Sequence, residues 1–292
     1  MKLKNISVQL GGFHDHWLRN GTDNPTLLMA AMEYYHYDFI CLMDKAFGEA
    51  AENEKQIIET WLSDKKVYIG HEYMFDWGHV ITVENKCKDC DVTNSDWKTE
   101  LKKLHSGGGF IALAHIGYPY SSKPAFDPVM IDEVIDNDYT DAVQLERITD
   151  FEIVKERANN CKKLPLVGGW DSHYITSKND SAKNLYSEKY IPDKHIDTAP
   201  GMRTIVFSED NSLESIKKAI RDGKSVLEHV ETGKLFGSYD LIEILKKEGY
   251  KEKISEMDKN YKSLVLKNDV LEAYKSCYLQ FPGWGNVFIA AD

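Results

Sequence analysis

The sequence predicts an α/β fold, a distorted β/α barrel followed by a C-terminal helical appendage. Three observations lead to this prediction. In the first two-thirds of the chain, short apolar or β-branched runs alternate with segments of helical periodicity. Histidine and acidic residues fall where the predicted strands end, as in barrels that bind ligands at one end of their strands. The 292 residues, 42% hydrophobic and 28% charged, are enough for one large globular domain.

Each predicted strand is a short apolar run bounded by polar or glycine-containing stops. The candidate strands are Ile6–Leu10, Phe39–Met43, Lys66–Gly70, Val80–Val83, Phe110–Ala114, Ala142–Leu145, Leu166–Val167 and Arg203–Phe207. The candidate helices between them are Thr26–Tyr35, Glu49–Leu62, Asp96–His105, Pro128–Ile135, Ile153–Asn160 and Ser212–Asp222. Ser212 can cap the last of these helices, and Gly223 stands just past its end.

The last part of the chain has a different pattern. Residues 174–200 are polar and indicate a long loop of the kind that often covers a site. Beyond Thr232 the sequence becomes helical and charged, over Tyr239–Glu248 and Lys251–Tyr274. We therefore predict a barrel over residues 1–232 and a helical appendage, packed on the barrel, over residues 233–292.

Charge and composition exclude some classes of function. A formal net charge of -11 argues against a general nucleic-acid partner. We recognise no signal peptide and no apolar run of the ~20 residues that a membrane span needs. The five cysteines, an odd number, lack the spacing of a disulfide scaffold and are expected to be reduced. These features favour a cytoplasmic protein without a membrane partner, and they leave its oligomeric state open.

The first two clusters of candidate ligands follow the first and third predicted strands. His14 and His16 are separated by one residue, so an extended segment would present both imidazoles to one ion. Glu72 follows Gly70 and could bridge two cations, and His79 precedes the next strand. An isolated pair of this kind is also typical of surface histidines, so neither cluster decides the function alone.

Two further clusters follow later strands. His115 ends an almost wholly apolar run, where a core histidine is the alternative. Gly168 and Gly169 precede Asp171 and His173, and two glycines allow close approach of the backbone. Four successive strand ends that all carry metal-ligand residues favour one shared metal site.

The order of these motifs resembles the PHP (polymerase and histidinol phosphatase) superfamily of metal-dependent phosphoesterases. The shared elements are H-x-H, a strand-end G-x-E, a histidine opening a strand, G-x-h-h-h-A-H with h apolar, and G-G-x-D-x-H. The run from Gly201 to Phe207, with the segment that begins at Ser212, resembles the carbaryl-hydrolase-like branch. The resemblance spans roughly Lys4 to Val226 and implies a distorted (β/α)7 barrel of PHP type.

The resemblance also implies a ligand set for two or three divalent ions, of zinc, manganese or iron. His14, His16, Glu72 and Asp171 would hold one ion, and Glu72, His79 and His115 a second. His173 would belong to a third position or act as a general acid. Where the family has Thr-Asp-His after its second strand, this chain has Met43-Asp44-Lys45. Lys45 is therefore either a surface lysine or a cation that steadies a substrate oxyanion in place of the third metal.

The function predicted from these residues is hydrolysis of a small phosphate monoester or diester by a metal-bound hydroxide. Arg19, Arg147 and Arg203 are candidate contacts for the substrate anion, although each could instead pair with surface acids. A carboxyl or carbamate ester is an alternative substrate, because the same nucleophile attacks carbonyl carbon. A catalytically silent metal-binding or regulatory module is the third possibility, since the expected third-site histidine is missing.

Overall fold

A mixed ten-stranded sheet forms the centre of the protein. The computed structural model describes residues 1–16, 29, 32–33, 35–43, 45, 48–87, 96–117, 126–160, 162–169, 202–230 and 232–265, with side chains up to residue 260. Within these residues the strands are β1 (Gln9–Asp15), β2 (Phe39–Leu42), β3 (Lys66–Phe75), β4 (Gly78–Val83), β5 (Phe110–Leu113), β6 (Ala142–Leu145), β7 (Leu166–Gly168), β8 (Met202–Val206), β9 (Ser225–His229) and β10 (Lys234–Gly237).

The strand order is β10-β9-β8-β1-β2-β3-β4-β5-β6-β7. Strands β1, β2 and β3 pair in parallel, as do β5, β6 and β7. Strand β4 is antiparallel to both of its neighbours, and β8, β9 and β10 form an antiparallel extension beside β1. The sheet therefore combines βα units with hairpins, and a regular (β/α)7 count is not shown.

The two arms of the sheet approach each other where β7 meets β8 and β9. The backbone N–H of Gly168 donates to Thr204 Oγ1 at 2.7 Å, and the Ser225 hydroxyl donates to the Leu166 carbonyl oxygen, also at 2.7 Å. Side-chain hydroxyls thus replace a regular strand ladder at this seam. The result is a nearly closed barrel, so the predicted α/β barrel shape is confirmed.

The described helices largely follow the predicted ones, whereas the predicted helix Thr26–Tyr35 lies mostly outside the described residues. They are α1 (Glu49–Trp61), α2 (Trp97–Ser106), α3 (Pro128–Asp136), α4 (Phe151–Asn159), α5 (Leu213–Arg221), α6 (Tyr239–Lys247) and α7 (Tyr250–Val265). Ser212 caps α5 as predicted, with its hydroxyl accepting from the backbone N–H of Ser215. Asp96 and Asp127 cap α2 and α3 in the same way.

Strand alternation divides the core into an interior and an exterior. On β5, Phe110 and Ala112 lie in a cluster that draws on β1 to β8, so they line the barrel interior. Ile111 and Leu113 lie in a second cluster with α2, α3 and α4 outside the barrel. Helix α5 packs against the interior cluster near the start of β1, so it closes the end of the barrel opposite to the carboxyl end of β5.

The segment after residue 232 differs from the prediction in one respect. It begins with strand β10, which pairs with β9 in the main sheet, before α6 and α7 follow. Sequence analysis missed β9 and β10 because both are short and carry charged residues. Residues 266–292 lie outside the described part, so the division into barrel and appendage stays a prediction.

Two general properties complete the description. No described helix is long and apolar enough to cross a membrane. Cys41 is free and buried, whereas Cys87 is disulfide-bonded. The expectation that all five cysteines are reduced was therefore wrong for Cys87.

Candidate metal centre

Four histidines and one glutamate meet at the end of the barrel where β1 and β5 finish. His14 lies in β1 and His16 just after it, Glu72 lies in β3, His79 is the second residue of β4, and His115 follows β5. Glu72 lies beyond the part of β3 that pairs with β2, and it faces Ile81 of the interior cluster across the β3–β4 hairpin. Strands distant in sequence thus bring these five residues to one place.

The Glu72 carboxylate lies at the centre of the cluster. Its Oε1 is 2.6 Å from His79 Nδ1 and 3.0 Å from His115 Nε2. Its Oε2 is 3.0 Å from His16 Nε2. His14 Nε2 lies 3.4 Å from Glu72 Oε1 and 3.1 Å from His16 Nε2. Every histidine therefore directs a ring nitrogen at the same carboxylate.

Two of the histidines depend on an unusual backbone conformation. Phe13 and Ala114 belong to the interior cluster, so continued strand alternation would turn the residue after each of them outward. His14 and His115 instead have positive φ angles of 74° and 31°, and the β1–β2 register is irregular between Gly12 and Asp15. Positive φ is uncommon for residues other than glycine and is concentrated at functional sites. It lets both imidazoles reach the pocket.

The cluster is buried and lacks a fixed positive charge among its described contacts. His14 is 0% exposed and His115 1%, and the Glu72 side chain is 7% exposed. Burial raises the pKa of the Glu72 carboxyl, but the charge of His14 and hydrogen bonds from His115, His14 and His16 outweigh it. The pKa of Glu72 therefore lies far below its usual range, which means that the pocket favours an anionic carboxylate next to positive charge.

This donor set fits a divalent cation. One ligand atom from each of His14, Glu72 and His115 lies within 4.8 Å of the other two, a spacing that one ion can span. Imidazole nitrogen with carboxylate oxygen suits zinc, manganese and iron. His16 and His79 contact the same carboxylate and could complete the coordination of one ion or contribute to a second.

Several predicted site residues cannot be placed. Asp171, His173 and Arg19 lie outside the described residues, as does Asp44. Their predicted roles as metal ligands, general acid and substrate contact stay predictions. Gly169, two residues before Asp171, lies against the carbonyl oxygen of Phe13, so the chain that leads to Asp171 starts next to β1.

The three predicted cationic residues that can be placed lie in different surroundings. Lys45 Nζ donates to the backbone carbonyl oxygen of Asn85 at 2.5 Å, beyond the far end of β4. Arg147 follows β6 and donates from Nη2 to the Gly117 carbonyl oxygen at 2.7 Å, two residues after His115. Of Lys45 and Arg147, only Arg147 has a described contact next to the histidine cluster.

Arg203 has a structural position. It is 3% exposed, and its Nη2 donates to Glu228 Oε2 at 2.5 Å, while Nη1 donates to the Tyr35 carbonyl oxygen at 2.5 Å. Tyr250 of α7 accepts a further bond from the same guanidinium. An enclosed guanidinium with these internal partners argues against a substrate contact, so we do not carry that role forward.

Sequence analysis missed Gln144, a polar residue in β6 that is 0% exposed. Its Oε1 lies 2.8 Å from His14 Nδ1 and accepts from the backbone N–H of His115 at 3.1 Å. The sequence signal was a single amide side chain in an otherwise apolar strand. Gln144 stands two residues after Ala142, which faces the barrel interior, so strand alternation turns Gln144 to the same side.

Comparison with solved structures gives a likeness in fold. No family model matches the sequence, and no curated protein matches it. The structure is similar to the crystal structure of a two-domain protein from Bacteroides vulgatus that contains a predicted PHP-like metal-dependent phosphoesterase. The TM-score is 0.58 at 15% identity, over 85% of this chain and 72% of that chain. The two proteins share a fold. Membership of the PHP superfamily and of its carbaryl-hydrolase-like branch stays a prediction.

Proposed function

We propose that the protein is a metal-dependent hydrolase that acts on a small phosphate monoester or diester. The observation that carries this proposal is the position of Glu72. Its two carboxylate oxygens lie within hydrogen-bonding distance of ring nitrogens of His16, His79 and His115. The likeness to a protein described as a predicted PHP-like metal-dependent phosphoesterase supports the choice of reaction.

In this proposal the five placed residues of the cluster hold the metal, together with Asp171 at the next strand end. When bound, a divalent ion supplies an activated water near neutral pH and offsets negative charge on the ester being cleaved. Burial of the cluster strengthens the attraction between Glu72 and any cation, because little water is present to screen it.

Two further residues have proposed roles at the substrate. His173, if it is not a ligand, is suited to donate a proton to the leaving oxygen, since imidazole titrates near neutral pH. Arg147 follows β6 and its side chain is 44% exposed, and a guanidinium can pair with phosphate oxygens through two parallel hydrogen bonds. Asp150 at 3.4 Å and the Gly117 carbonyl oxygen hold it in place.

A panel assay tests the proposed reaction. Protein purified without chelator is analysed for metal and then assayed on nitrophenyl phosphate, bis-nitrophenyl phosphate and nitrophenyl esters. We expect turnover of the phosphates that disappears with a chelator and returns with added Zn²⁺ or Mn²⁺. Turnover of the esters alone would favour the carboxyl or carbamate ester alternative, and bound metal without any turnover would favour a silent metal-binding module.

A matched pair of histidine variants controls for metal at surface sites. His115→Gln removes a buried member of the cluster, and His105→Gln removes an exposed histidine on α2. We expect His115→Gln to lose bound metal and activity, whereas His105→Gln keeps both. Equal metal contents and activities in the two variants would contradict the proposed site.

A further inference from the structure

The orientation of the Gln144 amide is fixed by its surroundings. The oxygen and the nitrogen of a glutamine amide can be assigned when a neighbouring group can only donate or only accept a hydrogen bond. The backbone N–H of His115 is such a neighbour, because it can only donate, and it lies 3.1 Å from the atom assigned as Oε1. The atom that faces His115 and His14 is therefore the oxygen.

This orientation determines which nitrogen of His14 carries a hydrogen. His14 Nδ1 lies 2.8 Å from Gln144 Oε1, and that oxygen can only accept, so Nδ1 must be the donor. A neutral imidazole protonated at Nδ1 has its lone pair on Nε2. His14 Nε2 is the atom that lies 3.4 Å from Glu72 Oε1 and 3.1 Å from His16 Nε2.

We propose that Gln144 is a positioning residue that selects Nε2 of His14 as the metal-binding atom and holds the ring toward the cluster. This inference rests on the proposed metal centre. Histidine ligands in metalloproteins commonly donate their second nitrogen to a carbonyl or carboxylate that fixes the ring. Gln144 supplies that acceptor from β6, and the same oxygen ties it to the His115 backbone, so one amide aligns two ligands.

Water cannot readily replace this amide. Gln144, His14 and His115 are each no more than 1% exposed, and the rings of His14 and His115 stack at 5.1 Å with an interplanar angle of 25°. A Cβ added at Gly169 would lie 2.8 Å from Gln144 Nε2, so the chain packs closely against the other end of the amide. The side chain has little freedom to turn away from His14.

Two substitutions at Gln144 separate the acceptor from the shape of the side chain. Gln144→Met keeps the length but removes the acceptor, and Gln144→Glu keeps an oxygen at the same place. We expect the affinity of Gln144→Met for Zn²⁺, measured by calorimetric titration of the full chain, to fall on the order of 10- to 100-fold. Gln144→Glu should stay within about threefold of the unmodified protein, because its carboxylate accepts the same two bonds.

Ser225→Ala is the matched control for loss of a buried hydrogen bond. The Ser225 hydroxyl bonds the backbone of Leu166 on β7, is 1% exposed, and has no described contact with the cluster. This variant should melt at a lower temperature yet bind Zn²⁺ like the unmodified protein. A purely structural role for Gln144 would instead give the same pattern for Gln144→Met and Ser225→Ala.

A spectroscopic measurement checks the proposed hydrogen directly. With ¹⁵N-labelled histidine and Zn²⁺ bound, His14 should show a slowly exchanging hydrogen on Nδ1, and the signal should be lost in Gln144→Met. Unchanged Zn²⁺ affinity in folded Gln144→Met, or equal losses in Gln144→Met and Gln144→Glu, would overturn the role of Gln144 alone. Failure of the unmodified protein to bind Zn²⁺ or Mn²⁺ would overturn the proposed function and this inference with it.

Discussion

Two buried glutamates, Glu72 and Glu228, are surrounded in different ways. The Glu228 side chain is 3% exposed, and its Oε2 accepts from Arg203 Nη2 and from the Tyr250 hydroxyl, each at 2.5 Å. The Glu72 side chain is 7% exposed and has imidazole nitrogens around both oxygens. Glu228 is thus neutralised by a permanent cation, whereas the described partners of Glu72 carry a charge only when protonated.

The difference separates a structural carboxylate from a functional one. Burial raises the pKa of Glu228, but the charge of Arg203 and hydrogen bonds from Tyr250 and Arg203 lower it by more. The pKa therefore lies below its ordinary value, and the carboxylate stays ionised. Arg203 thus supplies the positive charge that keeps Glu228 ionised. The described partners of the Glu72 carboxylate are imidazoles, which offset its charge only when they are protonated, and a bound metal ion would supply the same positive charge. We infer that Glu72 is arranged for binding and Glu228 for stability.

The largest expected effect is on metal binding by Glu72→Gln. The substitution keeps the shape of the side chain and removes the charge that the imidazoles share, so we expect no measurable metal-dependent hydrolysis. The readouts are metal content by elemental analysis and initial rates with saturating Mn²⁺. Glu228→Gln is the matched control and should retain its metal content per folded chain. A Glu72→Gln protein with normal metal content would contradict the proposed difference between the two glutamates.

Glu228→Gln should show the opposite pattern, a loss of stability without a loss of metal affinity. It leaves Arg203 buried without its anionic partner, and breaking a buried pair from one side lowers the free energy of unfolding by about 3–5 kcal/mol. Urea unfolding of the metal-free protein measures the change. Glu152→Gln, on the surface of α4, is the control and should change stability by less than about 0.5 kcal/mol.

The pH dependence of stability sharpens the same comparison. The pKa of Glu228 in the folded protein lies below the ordinary value of 4.5, so its stabilising contribution is complete above pH 4.5. As the pH falls below that value, the unfolded chain takes up the proton first and the contribution is lost. The stability gap between the unmodified protein and Glu228→Gln should therefore be constant from pH 7 to about pH 5.5 and shrink in more acidic solution. A gap that grows on acidification would contradict the assigned direction.

The smallest effect is expected at Lys45. Its ammonium bonds the Asn85 carbonyl oxygen, with no described contact to the histidine cluster, so Lys45→Met should change kcat by less than about twofold. Rates on the phosphate panel and metal content measure this. A large fall in kcat with normal metal content would instead support a role for Lys45 in steadying the substrate oxyanion.

The sequence predicted the ends of the strands better than the orientation of their side chains. His14, His16, Glu72, His79 and His115 could be predicted because polar residues directly after apolar runs are easy to recognise. The positive φ angles of His14 and His115 could not, since they arise from tertiary packing and reverse the alternation expected of a strand.

Long-range pairing also limited the prediction. Arg203 was predicted to contact substrate because its chain neighbours give no sign of Glu228 and Tyr250, which lie 25 and 47 residues further on. Gln144 was missed for the same reason, because its partners His14 and His115 are 130 and 29 residues away. Strands β9 and β10 become visible only through their pairing with β8 and with each other.

The most direct test is an anomalous scattering map of crystals grown with saturating Mn²⁺ or Zn²⁺. We predict a peak roughly 2.0–2.2 Å from the ring nitrogens of His14 and His115 and from a Glu72 oxygen. Crystals of Glu72→Gln grown under the same conditions should lack that peak. A map from the unmodified protein with no anomalous peak between these three residues would contradict the account.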